Sequence, residues 1–418
     1  MVVEMNARAQ AGPPPDSSLR GPLAYAISCF TIWGLAYGLL DVLNKHFQET
    51  LHVGKAQSSW LQIAYFGAYL LMSVPAGWVL QARGYKAGLV LGLMITTLGA
   101  FLFVPAASAA SFPFFVGSMF VLATGLCFLE TAADTYVNIL GPPQHASQRL
   151  NLAQSFNALG VFFGPLIGGA LFFSPAVTSS LGGEQTAVQI TYAVIGILVM
   201  LFALVLSRAH LPEIYDDPHK PATTSAEPSL VAPLIQQRHF VLGVITQALY
   251  VGAQVGIGAF FLNLVTETWT GMTSQQGAFL LSLATVGYLV GRFASTVILL
   301  KVRPRTLLTV YGLANVGLCL VVSAGIEKVS AIALVAVFFF MSAMFATIFT
   351  LGVRDLGPHT KRGASIMVMA IGGGVALPYP MGMIADAHGT STAFFLPAVS
   401  FAFVALYGWW GSRTPRDT

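Results

Sequence analysis

Twelve apolar runs, each about 20 residues long and separated by glycine, proline and charge, constrain this chain more than any motif does. A helix of that length spans the hydrocarbon layer of a bilayer, and twelve of them nearly exhaust the chain. Composition agrees. Of 418 residues, 56% are hydrophobic and only 9% charged, with a mean hydropathy of +0.74, which is too apolar for an ordinary soluble core. The expected fold is an all-α membrane protein of twelve transmembrane helices in two six-helix halves. No length remains for a separate catalytic or ATP-hydrolysing module, so an enzyme is not expected.

The formal charge of +4 is informative by position. Arg83, Lys86, Arg149, Arg208, Lys220, Arg238, Lys301, Arg303, Arg305, Arg354, Lys361 and Arg362 fall in alternate connections, and the other set holds only Lys45, Lys55 and Lys328. The positive-inside rule places the basic connections and both termini in the cytoplasm of a multi-pass cell-membrane protein, the inner membrane in a Gram-negative cell. A nucleic-acid partner would need basic residues gathered on one folded face, so the lipid bilayer is the partner expected. From Arg208 to Gln237 the composition shifts to Pro, Asp, Lys, Thr, Ser and His, which reads as a linker. The expected layout is a tail at 1–21, a first half at 22–208, the linker at 209–237, a second half at 238–411 and a tail at 412–418.

Against this apolar background a few polar residues need explaining. Glu130 lies inside the fourth run with no Lys or Arg near it on its helix, and an embedded carboxylate is a functional candidate by default. Asp41, in the first run, is either a proton-binding carboxylate or a helix-end partner of Lys45 one turn away. Asp134 reads as a solvated residue at the inner mouth. Gln62, Tyr65 and Tyr69 are spaced to share one helix face, as are Gln154 and Asn157 in the fifth run, with Asn151 nearer its start. Amides on such a face offer donors and acceptors to a hydroxylated ligand, or serve as glue between helices. Gln247, Tyr250 and Gln254 form a similar set in the seventh run. Arg292 reads as snorkelling or structurally paired, and His46, His145, His359 and His388 as lying near connections. No His or Cys cluster has metal-ligand spacing and no phosphate-cradling loop is present, so no cofactor is expected beyond a proton as coupling ion.

The Leu-Glu-Thr-Ala-Ala run at 129–133 and the Arg-Leu-Asn-Leu-Ala-Gln-Ser-Phe-Asn run at 149–157 closely resemble the fucose permease branch of the major facilitator superfamily. Further matches are Leu-Asp-Val-Leu at 40–43, YVGAQVGIG at 250–258, FMSAMFATIF at 340–349 and IMVMAIGGGVALPYPMG at 366–382. Asp134 and Thr135 replace the Asn-Pro usual in that branch. The resemblance implies a sugar–proton symporter, with Asp41 and Glu130 in proton coupling and a monosaccharide of the fucose, glucose, galactose or N-acetylglucosamine class held by Gln62, Tyr65, Asn151, Gln154, Asn157, Gln247 and Gln254.

The expected function is proton-coupled monosaccharide uptake by a monomer whose two halves rock about a central site. Rival readings are a proton-coupled exporter of drugs or metabolites on the same fold, a sodium-coupled or uncoupled sugar carrier, and a non-transporting sensor. Pro378 and Pro380, after Gly372, Gly373 and Gly374, should interrupt the eleventh helix, a device tolerated where a helix lines a cavity.

Overall fold

A computed structural model describes residues 16–140, 146–212, 232–356 and 360–413. Among them, eleven helical stretches are long and apolar enough to cross a membrane. One of these, Lys55–Ser108, has 54 residues. A straight helix of that size would be roughly 80 Å long, far more than a hydrocarbon layer of about 30 Å. It is in fact two crossings folded at Gly84, whose φ of 83° and ψ of 171° are open to a residue without a Cβ. The total is therefore twelve. The connection that carries Arg83 and Lys86 is thus reduced to this one glycine.

The chain begins with α1 (Asp16–Thr50), a one-turn helix at Lys55–Ser58 and the folded α2 (Trp60–Ser108). Then come α3 (Phe112–Ile139), α4 (Ala146–Phe172) and α5 (Glu184–Arg208). The second half holds α6 (Arg238–Thr268), α7 (Ser274–Ile298) and α8 (Pro304–Ser323). Its tenth crossing is split into α9 (Glu327–Met341) and α10 (Met344–Val353). Its eleventh is split into α11 (Thr360–Met369), a 3₁₀ stretch at Ala370–Val375 and α12 (Pro378–His388); α13 (Phe395–Leu406) and a π turn at Tyr407–Gly411 end the bundle. The break before Pro378 is where the three glycines and two prolines predict it. The break at Ser342–Ala343 has no proline to announce it. Helix α1 starts at Asp16, so Pro22 lies inside it and not in its first turn. Pro142, Pro143, His145, Lys220 and His359 lie outside the described residues, as do the side chains of Asn151 and Lys361.

Small residues set the helix spacing. Against α1, a Cβ on Gly160 or Gly164 would come within 2.5 Å of the Thr31 carbonyl oxygen or the Gly38 backbone, so α4 and α1 touch main chain to main chain. Gly92 and Gly125 do the same between the second limb of α2 and α3.

The halves meet along three seams, α1 with α6, the first limb of α2 with the 3₁₀ stretch, and α4 with α7. At the end of the bundle that holds Lys55 they are tied together. Lys55 Nζ pairs with Glu267 at 2.8 Å, and Asp386 accepts hydrogen bonds from the backbone N–H groups of Lys55 and Ala56 at 2.9 Å each. One layer deeper, Asn263 donates to the Gln48 amide oxygen and Ser274 to Glu49. Deeper still, Asn44 donates to the Ala259 carbonyl at 2.7 Å. The structure is thus the state closed at its Lys55 end.

Candidate functional site

Immediately beneath those closing layers, α1 brings Asp41 against α6. The carboxylate is 8% exposed, and a Cβ at position 258 would lie 2.5 Å from its Oδ2, so Gly258 makes the room it occupies. Its nearest polar neighbours are the Gln62 amide on α2 and the Tyr37 hydroxyl one turn back on α1. Lys45 is turned away and pairs with Glu49 at 3.4 Å, which removes the helix-end pairing considered for Asp41. Gln62 is fully buried, and neither of its amide atoms makes a hydrogen bond of normal geometry even though it faces Asp41. Buried polar atoms left so cost free energy unless water or a ligand answers them.

Below Asp41 an aromatic column runs deeper. The Tyr37 ring lies 6.0 Å from Tyr65, and Tyr65 stacks on Tyr69 at 5.4 Å with the planes 26° apart. Both hydroxyls of the stacked pair are buried and neither makes a hydrogen bond of normal geometry, although Tyr65 faces Trp33 and Tyr69 faces Glu130. Glu130, on α3, is half-buried beside Tyr65, Tyr69 and Cys127, with Asp134 one turn along, and its Oε2 has no partner. Among the described residues, no Lys, Arg or His is ion-paired with Asp41 or Glu130. The two carboxylates therefore occupy two levels of one polar column, joined by Gln62 and three tyrosines.

The amides divide differently from their expected grouping. Asn157 donates through Nδ2 to the Phe30 carbonyl at 3.1 Å, a bond made possible by the glycine-mediated approach of α4 to α1. One of its two amide N–H groups is thus spent on holding helices. Gln154, three residues earlier, is half-buried, and no hydrogen bond between described residues joins either amide to Glu130. Gln247 on α6 is fully buried with both amide atoms unpartnered, and Gln254 is half-buried. Tyr250 donates to the Met341 carbonyl at 2.8 Å, answering the main chain where α9 ends. That makes it a clamp on the broken crossing.

His46 lies one turn before the end of α1, near a connection as expected, yet it is 1% exposed, enclosed by the rings of Phe47, Phe172 and Phe173 at 5.2–5.8 Å. Arg292, exposed near the end of α7, joins no carboxylate among the described ion pairs; its guanidinium stands 5.8 Å over the Tyr288 ring and within electrostatic reach of Tyr250.

Twelve crossings, central seams and two broken helices in the second half can now be set against known proteins. The sequence model of the Major Facilitator Superfamily matches residues 23–377. The chain belongs to this superfamily. A glucose/galactose transporter of Brucella abortus biovar 1 (strain 9-941) is 34% identical over 386 residues, 92% of each chain. An L-fucose–proton symporter of Escherichia coli (strain K12) is 34% identical over 413 residues, 95% of this chain and 94% of that one. A crystal structure of a Major Facilitator Superfamily transporter, FucP, in the outward conformation is 33% identical, with a TM-score of 0.68 over 95% of this chain and 100% of that chain.

Within this Major Facilitator Superfamily chain, sequence reasoning passed over Asn44, Gln48, Asn263 and Asp386. A signal for the first two was present. Tyr37, Asp41, Asn44 and Gln48 recur at helical spacing and so form a polar stripe along α1. Asp386 gave none, because its partners are backbone amides distant in sequence.

Proposed function

We propose that the protein takes up a monosaccharide together with protons, its halves rocking about the column between Asp41 and Glu130. The observation that supports this best is the pair of embedded carboxylates outside any described ion pair, one on the seam between the halves and one wholly within the first half. Closing the Lys55 end lays Asp41 against Gly258, and closing over a charged carboxylate costs more than closing over a protonated one. Protonation of Asp41 therefore favours the state in hand. Glu130 and the tyrosine hydroxyls, with Gln154 and Gln247, face the column where sugar hydroxyls would bind.

In this reading the Lys55 end is extracellular, the arginine-rich end and both termini are cytoplasmic, and the cell membrane holds a single working copy. Residues 22–208 and 238–411 are the rocking halves, joined through 209–237. The names of the relatives support a hexose or deoxyhexose substrate and a proton as coupling ion. That FucP was captured in an outward conformation, while this chain is closed at the Lys55 end, agrees with alternating access.

The deciding experiment is a panel of radiolabelled fucose, glucose, galactose and N-acetylglucosamine in proteoliposomes, with and without an inward proton gradient. At least one sugar is expected to accumulate only with the gradient. Accumulation driven by sodium, or no sugar uptake at all, would overturn the proposal.

A further inference from the structure

The arginine-rich end holds a cavity about 740 Å³ in volume, remote from the polar column. Its wall includes Arg303, Arg305, Thr306, Arg354, Trp409 and Arg413, where the start of α8, the end of α10 and the C-terminal π turn converge. Among the described residues, no Asp or Glu lines it. Asp355, outside the wall, lies 3.4 Å from Arg354 Nε. Arg305 is held in place by donating to the Ser412 carbonyl at 2.7 Å.

The helix start adds to this field. Arg303 is the N-cap of α8 with extended backbone and no side-chain cap, and Pro304 fills the first turn. The N-terminal partial positive charge of a 20-residue helix thus opens onto the same cavity as the arginines. Together they suit an anion with several oxygens, a phosphate above all, because guanidinium groups grip phosphate in a bidentate fork.

The rim says where that phosphate comes from. Trp409 and Val310, both in the wall, are 64% and 55% exposed, and Leu313 continues the apolar face one turn further along α8 at 60%. Trp410, beside them, lies beneath the Arg238 guanidinium at 3.7 Å. Tryptophans at a helix end mark the membrane interface, and basic pockets between membrane helices at that level suit lipid head groups. A soluble anion would have no use for the apolar face. We propose that this cavity binds the phosphodiester head group of an anionic phospholipid, with its acyl chains along Val310 and Leu313.

Native mass spectrometry of the purified full-length protein tests this, with dioleoylphosphatidylglycerol, dioleoylphosphatidylcholine and inorganic phosphate as probes. Wild-type protein should retain phosphatidylglycerol in preference to phosphatidylcholine. Arg303→Gln with Arg413→Gln should bind it about thirtyfold more weakly, and Arg413→Gln alone roughly fivefold, as expected for losing one or two charges near an anionic surface. Arg83→Gln, at the same end but outside the cavity, should behave as wild type. Equal retention by the double variant, equal loss in Arg83→Gln, or no preference between the two lipids would each overturn the proposal. So would displacement of phosphatidylglycerol by millimolar inorganic phosphate, which would make the cavity a soluble-anion site.

Discussion

Asp41 and Glu130 are both embedded carboxylates, but their surroundings differ, and the proposed function gives them different work. Asp41 sits on the seam, so in the proposed cycle its charge is coupled to closure of the Lys55 end. Asp41→Asn imitates the protonated side chain permanently and should close freely. It is expected to abolish proton-driven accumulation while retaining exchange of sugar for sugar, which needs no deprotonated return. Glu130 touches no residue of the second half in the described contacts and lies against Tyr65 and Tyr69. Glu130→Gln should therefore change sugar affinity first. Counterflow and net uptake measured on both variants separate the roles, and wild-type accumulation by Asp41→Asn would remove Asp41 from coupling. Both carboxylates were legible in the sequence because charge inside an apolar run is conspicuous. The division between Gln154 and Asn157 was not, since it depends on which carbonyl of α1 lies opposite. Asn157→Ala should lower stability by about 1 kcal/mol through the lost bond to Phe30. Gln154→Ala should leave the melting temperature unchanged and weaken sugar binding; the reverse pattern would show that the amide roles are exchanged.

At the scale of elements, closure rests on a one-turn helix pressed onto the end of α12. Gly382 allows that contact, since a Cβ there would lie 2.5 Å from Ala56 Cα. The Lys55–Glu267 pair is part-exposed and contributes at most about 1 kcal/mol. Asp386 matters more, because its carboxylate accepts two backbone N–H groups, and bonds to a charged acceptor are worth roughly 1.5–3 kcal/mol. Asp386→Ala is expected to move the balance toward opening at the Lys55 end by about 2 kcal/mol, on the order of thirtyfold in the ratio of states. Spin-label distances across that end would read the shift, and an unchanged distance distribution would show that the amide layers beneath hold the closure alone. The helices themselves were legible from hydropathy, and the break before Pro378 from its glycines and prolines. The break at Ser342–Ala343 was hidden because it is stabilised from another helix, through Tyr250.

For the whole molecule, the distribution of charge makes a claim about orientation. Arg83, Lys86, Arg208, Arg303, Arg305 and Arg354 lie at one end of the bundle, and Lys55 and Lys328 at the other. In the proposed orientation the basic connections are retained on the cytoplasmic side and the Lys55 end is extracellular. The three native cysteines, Cys29, Cys127 and Cys319, are buried, so a membrane-impermeant thiol reagent meets little background, and their replacement by serine or alanine leaves a clean chain. Single cysteines at Glu184, exposed at the start of α5, and at Arg83, exposed beside the fold in α2, sample the two ends. In intact cells the reagent should modify position 184 and spare position 83, and in inverted vesicles the preference should reverse. Cysteine at position 55 adds the conformational state to the same assay. Held by Glu267 and the Asp386 layer in the closed form, that position should react faster from outside in an Asp386→Ala background than in wild type. Modification of position 83 in intact cells would invert the orientation and place the Lys55 closure at the cytoplasmic face. Faster reaction at position 55 only from the inside would do the same.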